Sequence, residues 1–278
     1  MNRKGEFNMD DRLKDFLLNS SSNFAFGYVK FEGDFYSFSM DNGDYSYKKF
    51  DFEEFKSFFN IFAEEKLRLF LKTLEGLIHN SNGKISPVVS RLGLLEPKIE
   101  SLKDNPEYRG VDRVFQKIVK SVKDLMGMYD SIGDFLMYYG MDEEVSLNLK
   151  RFFDGFHQAV ITDREIKHKV VFDIDIDEFI NMKVNGKDFM RAFYFLSEAL
   201  FSLIRNKEET FDLKITASKE EKVLISINFP KMPFAIDNDG NLGWDMLQSY
   251  MYYNLFKNIL ENRNFLIKEF EQNIEIEH

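Results

Sequence analysis

Two long stretches of this sequence repeat an apolar residue at steps of four and three. The first is Leu67, Leu71, Leu74, Ile78, Ile85, Val88, Leu92, Leu95 and Ile99, with Ser81 filling the one polar slot. The second is Val111, Phe115, Ile118, Val122, Leu125, Tyr129, Ile132, Leu136 and Tyr139. Sustained heptads specify helices that pack along a narrow left-handed seam. The segment between them, EPKIESLKDNPEYRG, carries Pro97, Pro106 and Gly110, which fit a hairpin connection. One hairpin has little to pack against, whereas two make a four-helix bundle, so the pattern predicts a homodimer.

The rest of the chain sets limits on what such a hairpin serves. A length of 278 residues allows one large domain or two ordinary ones, and 44% hydrophobic residues are ample for a core. The net charge of −10, without a dense lysine or arginine cluster, argues against nucleic acid as a partner. The absence of cysteine excludes disulfides, thiolate metal sites and cysteine nucleophiles. No apolar run approaches the roughly 18 residues needed to span a bilayer. The polar start MNRKGEFNMDDRLKDF has no signal-peptide core, so a cytoplasmic protein without a membrane span is expected. The 31 phenylalanines against one tryptophan read as core filling.

Three segments follow from these patterns. Residues 1–52 form a small β-rich segment: a helical start at Asp10–Leu18, then FAFGYVKFEGDFYSFSMDNGDYSYKKF, which alternates aromatic and polar residues between turn signals. It reads as two or three antiparallel strands that cap the neighbouring helices. Residues 53–142 are the helical hairpin. Residues 143–278 mix helices (Val145–Val160, Asp188–Ile204, Asp245–Glu261) with strands at KVVFDIDI, FDLKITA, KVLISINF, FLIKEF and NIEIE. The expected fold class is α+β, an antiparallel helical hairpin followed by an α/β sandwich.

His79 follows the core residue Ile78, at a position flanking the seam and facing solvent. A positioned imidazole is a competent nucleophile. Its surroundings, LEGLIHNSNGKISPVVSRLGLL, resemble the phospho-acceptor box of bacterial sensor histidine kinases: an apolar residue, the histidine, a small polar or acidic residue, then a proline and an apolar helix continuation. A variant of that box reading histidine-asparagine-x-asparagine-glycine is matched by His79, Asn80, Asn82 and Gly83. Asn80 stands where most of these kinases have an acid; it can orient the ring but cannot act as a base at neutral pH. Lys84 stands where the proline is usual, with Pro87 three residues further on.

The resemblance extends over about residues 65–278. REIKHKVVFDIDI resembles the first long strand of the kinases' Bergerat-type ATPase domain, and DFMRAFYFLSEALFSLIRN resembles the helix that carries its N-box. The resemblance implies a nucleotide pocket at Glu198, Ser202, Gly240 and Gly243, and it is here that the pattern departs from the family. Ser202 replaces an asparagine and is a poor ligand for a hard cation. Phe229-Pro230-Lys231-Met232 stands where the family has an aspartate followed by glycines, and only a short loop precedes Gly240-Asn241-Leu242-Gly243, whose glycines read as a remnant phosphate turn or an ordinary one.

Other constellations carry less. Asp173, Asp175 and Asp177 alternate along a strand opposite Phe172, Ile174 and Ile176, and they lack the glycine and distal acid of a calcium loop. His157 and His168 are isolated, so no metal site is expected. The resemblance therefore implies a two-component phosphorelay protein: a kinase-like histidine phosphotransferase in which His79 accepts the phosphoryl group and Asn80 orients the ring. Its partners would be a response-regulator receiver domain and a second copy, and it would need no cofactor. The alternatives are a divergent ATP-dependent sensor histidine kinase, for which Mg-ATP would be the cofactor, and a non-enzymatic pseudokinase regulator.

Overall fold

The computed structural model describes residues 26–32, 34–41, 44–49, 51–108, 110–205, 208–229, 240–242, 244–270 and 272–278. The expected helical start at Asp10–Leu18 lies outside them. The fold class is the one the heptads and mixed segments imply, a helical hairpin followed by an α/β sandwich.

The hairpin begins at α1, Phe52–Glu100, a 49-residue helix about 74 Å long at the standard rise. Asp51 starts it by accepting the backbone N–H groups of Glu53 and Glu54 at 2.9 and 3.1 Å. The sequence suggests a connection from Glu96, but the helix runs through both Pro87 and Pro97 and ends at Glu100. A proline inside a long helix removes one ladder bond, and here the turns on both sides continue. A short 3₁₀ turn, Pro106–Tyr108, then leads to Gly110, whose φ of 97° reverses the chain into α2, Val111–Tyr139.

The end of the hairpin remote from this turn joins the main core, whereas near the turn Phe115 is the buried residue of α2. Phe59, Ala63, Leu67, Leu71 and Leu74 of α1 and Ile132, Phe135 and Tyr138 of α2 belong to the main core. Towards the turn the same heptads leave apolar side chains in solvent: Val88 is 42% exposed, Val111 40%, Ile118 47% and Leu125 39%.

The α/β part opens differently from its sequence reading. The expected helix Val145–Val160 is a strand, β4 (Glu144–Asn148), followed by α3 (Leu149–Val160), because Asn148 caps the helix by accepting the Arg151 N–H at 2.9 Å. After the short α4 (Arg164–Lys169) come β5 (Val170–Ile176) and β6 (Asn181–Asn185), and β6 pairs antiparallel with β4. Helix α5 (Gly186–Ile204) is capped by Asn185 and starts two residues before the expected Asp188. Strands β7 (Phe211–Lys219) and β8 (Val223–Asn228), helix α6 (Trp244–Glu261) and strands β10 (Leu266–Glu269) and β11 (Asn273–Glu277) complete it. The main sheet has the order β10-β11-β8-β7-β5, antiparallel except for β5 beside β7.

One face of this sheet is apolar and covered by helices; Asp173 and Asp175 stay exposed on the other, as their alternation requires. The core is phenylalanine-rich. Phe193 lies 4.7 Å from Phe189, 4.9 Å from Phe153 and 6.1 Å from Phe256, centroid to centroid, mostly in edge-on arrangements. Helix α3 meets α2 at Gly155, where a Cβ would stand 2.4 Å from the Ser131 carbonyl oxygen and 2.9 Å from the Phe135 Cβ.

The N-terminal segment is a meander of β1 (Phe26–Phe31), β2 (Asp34–Asp41) and β3 (Asp44–Lys49), matching the predicted strands. Its fourth strand comes from far along the chain. β9 (Gly240–Leu242) pairs antiparallel with β1, Lys30 facing Gly240 and Tyr28 facing Leu242. Phe35 stacks on Phe52 at 4.1 Å, so the small sheet also abuts the start of α1. The first 52 residues thus supply three strands of a sheet that the last domain completes.

Candidate functional site

His79 lies on α1 five residues beyond Leu74, the last fully buried position, or about 7.5 Å further along the axis. Its neighbour Ile78 is half-buried and packs against the core, which fixes the backbone at this level. The His79 ring is exposed, as are Asn80, Asn82 and Gly83. Among the described residues no hydrogen bond or ion pair engages the ring, and none joins it to Asn80, so the orienting role expected of Asn80 is not made within the chain.

Of the four residues expected at a nucleotide pocket, Glu198 and Ser202 lie on α5 and Gly240 lies in β9. Glu198 sits on the buried face of α5, where its carboxylate accepts from Lys66 of α1 at 2.5 Å and from Arg205 at 3.4 Å. Arg205 also reaches Asp163, the cap of α4, at 3.2 Å. The Lys66 ammonium stands 5.4 Å above the Tyr252 ring. Burial and the adjacent Glu198 charge push the Tyr194 and Tyr252 hydroxyls well above the usual phenol range, so both remain protonated. Ser202 is buried and donates its hydroxyl to the Glu198 backbone carbonyl at 2.7 Å, satisfied one turn back on its own helix. Gly240 is a strand residue paired with Lys30, where a phosphate turn or an ordinary one had been expected, and Gly243 lies outside the described residues.

Phe229, at the place of the expected adenine-reading acid, is buried, and its N–H donates to the Gln272 carbonyl at 3.0 Å. Two cations thus hold Glu198 through Oε2, and the Ser202 hydroxyl, a poor ligand for a hard cation, is bonded to its own helix. Among the described residues, no cluster of three or more histidine, aspartate or glutamate side chains could hold a metal, and no helix is long and apolar enough to cross a membrane. Lys66, Arg205 and Asp163, the residues that define the surroundings of Glu198, carry no sequence signal; a lone lysine in a heptad does not announce a partner 132 residues away.

His157 and His168, set aside in the sequence, are also apart here. The His157 ring lies against Phe172 at 4.7 Å, and burial holds its pKa below the ordinary 6.5. His168 is exposed on α4.

The structural neighbours of the chain are histidine kinases. AdeS of Acinetobacter baumannii is 13% identical, with 70% of this chain and 96% of that one covered and a TM-score of 0.35. The blue-light activated histidine kinase EL346 of Erythrobacter litoralis is 9% identical, covering 100% of this chain and 83% of that one at a TM-score of 0.34. ThkA in complex with the response regulator protein TrrA is 14% identical, covering 96% and 82% at a TM-score of 0.33. No protein-family model and no curated protein matches the chain.

Proposed function

We propose that this chain is a two-component signalling protein, a histidine phosphotransferase that carries a phosphoryl group on His79 between response-regulator aspartates. The observation that carries the reading is the exposed His79 ring on a stretch of α1 whose backbone is held by the packing of Leu74 and Ile78. A ring nitrogen with a free lone pair attacks the phosphorus of an acyl phosphate. The N–P bond forms as the P–O bond breaks, and the aspartate leaves as a carboxylate; the return step reverses this. The receiver would bring its own acidic site and metal, so this chain need supply only a positioned imidazole. Independence from ATP is supported by the capture of Glu198 by Lys66 and Arg205 and by the inward hydrogen bond of Ser202.

The second copy belongs to the same reading. Val88, Ile118 and Leu125 are exposed beside a 280 Å³ apolar groove lined by Val89, Leu92, Val119, Val122 and Met126. A partner hairpin laid along this groove makes the four-helix bundle.

The test is to mix the purified protein with phosphorylated receiver domains and follow the label. Transfer is expected with the native chain, lost in His79→Gln and kept in His157→Gln and His168→Gln, with a label that is acid-labile and base-stable. Loss only in the other two histidine variants overturns the choice of residue. Incubation with labelled Mg-ATP is expected to give no labelling, and affinity no tighter than about millimolar, or roughly −4 kcal/mol. Saturable ATP labelling would make the chain a sensor histidine kinase. Neither transfer nor labelling would leave a non-enzymatic pseudokinase.

A further inference from the structure

Two charge networks join α1 to the α/β domain, and α1 contributes one residue of opposite sign to each. In the first, Lys66 bonds to Glu198, Glu198 to Arg205, and Arg205 to Asp163. In the second, Glu64 bonds to Arg191, Arg191 to Asp188 at 2.7 Å, and Asp188 to Arg263 at 2.6 Å. Each network holds two acids and two bases and is neutral only while α1 is in place. Glu64 and Lys66 flank the seam formed by Ala63 and Leu67, which are fully buried. At 100° per residue they project on opposite sides of that seam. Phe59 against Tyr252 at 4.9 Å and Phe70 against Tyr194 at 5.1 Å pack above and below.

We propose that this pattern keys the α/β domain into one fixed position on α1, making the domain a stationary shoulder beside His79 and not an arm that travels to it. Withdrawing α1 would leave the buried Glu198 sharing a single arginine with Asp163, and would leave Arg191 and Arg263 to one aspartate. Of these groups Glu198 is the deeply buried one, so the loss of its lysine is the costly part. Turning α1 so that the Glu64 flank faced Glu198 would oppose two carboxylates, so the signs exclude the nearest alternative packing as well as favouring this one. The consequence for the site is that His79 stays open to a partner from outside and withheld from its own α/β domain. This fixed geometry does not depend on phosphorylation of His79.

The sequence has no cysteine, so two introduced cysteines are the only thiols available for labelling. Spin labels at Ser90→Cys on the exposed face of α1 and Ser218→Cys at the exposed end of β7 report the hairpin-to-domain distance by pulsed paramagnetic resonance. Dilution with unlabelled protein restricts the signal to pairs within one chain. A single narrow distribution is expected for the otherwise native protein. It is expected to broaden in E64K/K66E, which exchanges the two keys without changing net charge or the α/β domain. It should stay narrow in E65R/R68E, which exchanges an exposed pair on the same helix. Should E64K/K66E lose its helical circular dichroism, Glu64→Gln/Lys66→Met removes both keys without opposing like charges and takes its place with the same two readings. A broad distribution in the native background, or a narrow one in the keyed variants, overturns the clamp. Either result leaves the His79 transfer assay to be judged on its own outcome.

Discussion

The buried carboxylate of Glu198 accepts a hydrogen bond from the Lys66 ammonium at 2.5 Å, across 132 residues of sequence. This pair decides how the α/β domain is read, and it also makes a stability prediction. Lys66→Ala leaves the carboxylate with Arg205 alone and is expected to lower unfolding free energy by about 1–3 kcal/mol, the lower end reflecting the partial exposure of the lysine. Replacing both partners, Lys66→Met with Glu198→Leu, should recover most of that loss, because apolar groups of similar size need no counter-charge. Urea denaturation of the native protein and the two variants checks it. A double variant less stable than Lys66→Ala would show that the charges themselves hold the helices.

Gly155→Ala should separate α3 from α2. The new methyl would stand 2.4 Å from the Ser131 carbonyl oxygen, which is backbone and cannot rotate away. A loss of about 1–3 kcal/mol is expected from forced displacement in a packed interface. A denaturation midpoint unchanged from the native protein would mean that the two helices part without strain.

His157 makes stability depend on pH. Burial favours its neutral ring and depresses the folded pKa below the ordinary 6.5, with Lys150 adding to the depression and Asp154 opposing it. The unfolded chain therefore binds the proton first on acidification. The contribution is complete above pH 6.5 and is lost as pH falls from there through the depressed folded value. In His157→Gln the decline in thermal midpoint below that pH should be shallower than in the native protein. Parallel profiles would remove His157 as the cause.

The exposed half of the hairpin predicts the assembly. Light scattering should report about twice the chain mass of 32.9 kDa for the native protein. Ile118→Glu and Leu125→Glu should yield folded monomers, since both side chains face solvent in the single chain. Leu74→Glu is different. That residue is 1% exposed within its own chain, so a charge there should prevent folding, not merely dimerisation. Native protein running as a monomer would sink the bundle.

The regular elements were legible because their periods are long. The heptads of α1 and α2, the strand KVVFDIDI and the apolar face of α5 each repeat often enough to fix type and orientation. β4 was not, since Val145 and Leu147 merge with the apolar residues of the following helix; the cap residue Asn148 was the available signal. Three-residue β9 is too short to carry a period, and its partner is more than 200 residues upstream. The exposure of His79 was legible from its place beside the heptad seam, whereas the fate of Glu198 was not. Residue spacing on α5 places Glu198 and Ser202 on one face, but it does not say that α1 lies against that face.

The pairing of β9 with β1 has a consequence during synthesis. The edge of β1 that Gly240–Leu242 will cover is synthesised more than 200 residues before its cover. Until that cover is made the nascent chain carries a strand edge of unpaired backbone donors and acceptors, a natural template for another chain. Ribosome-bound fragments ending before residue 240 should be the species most prone to self-association, and the most in need of a holdase.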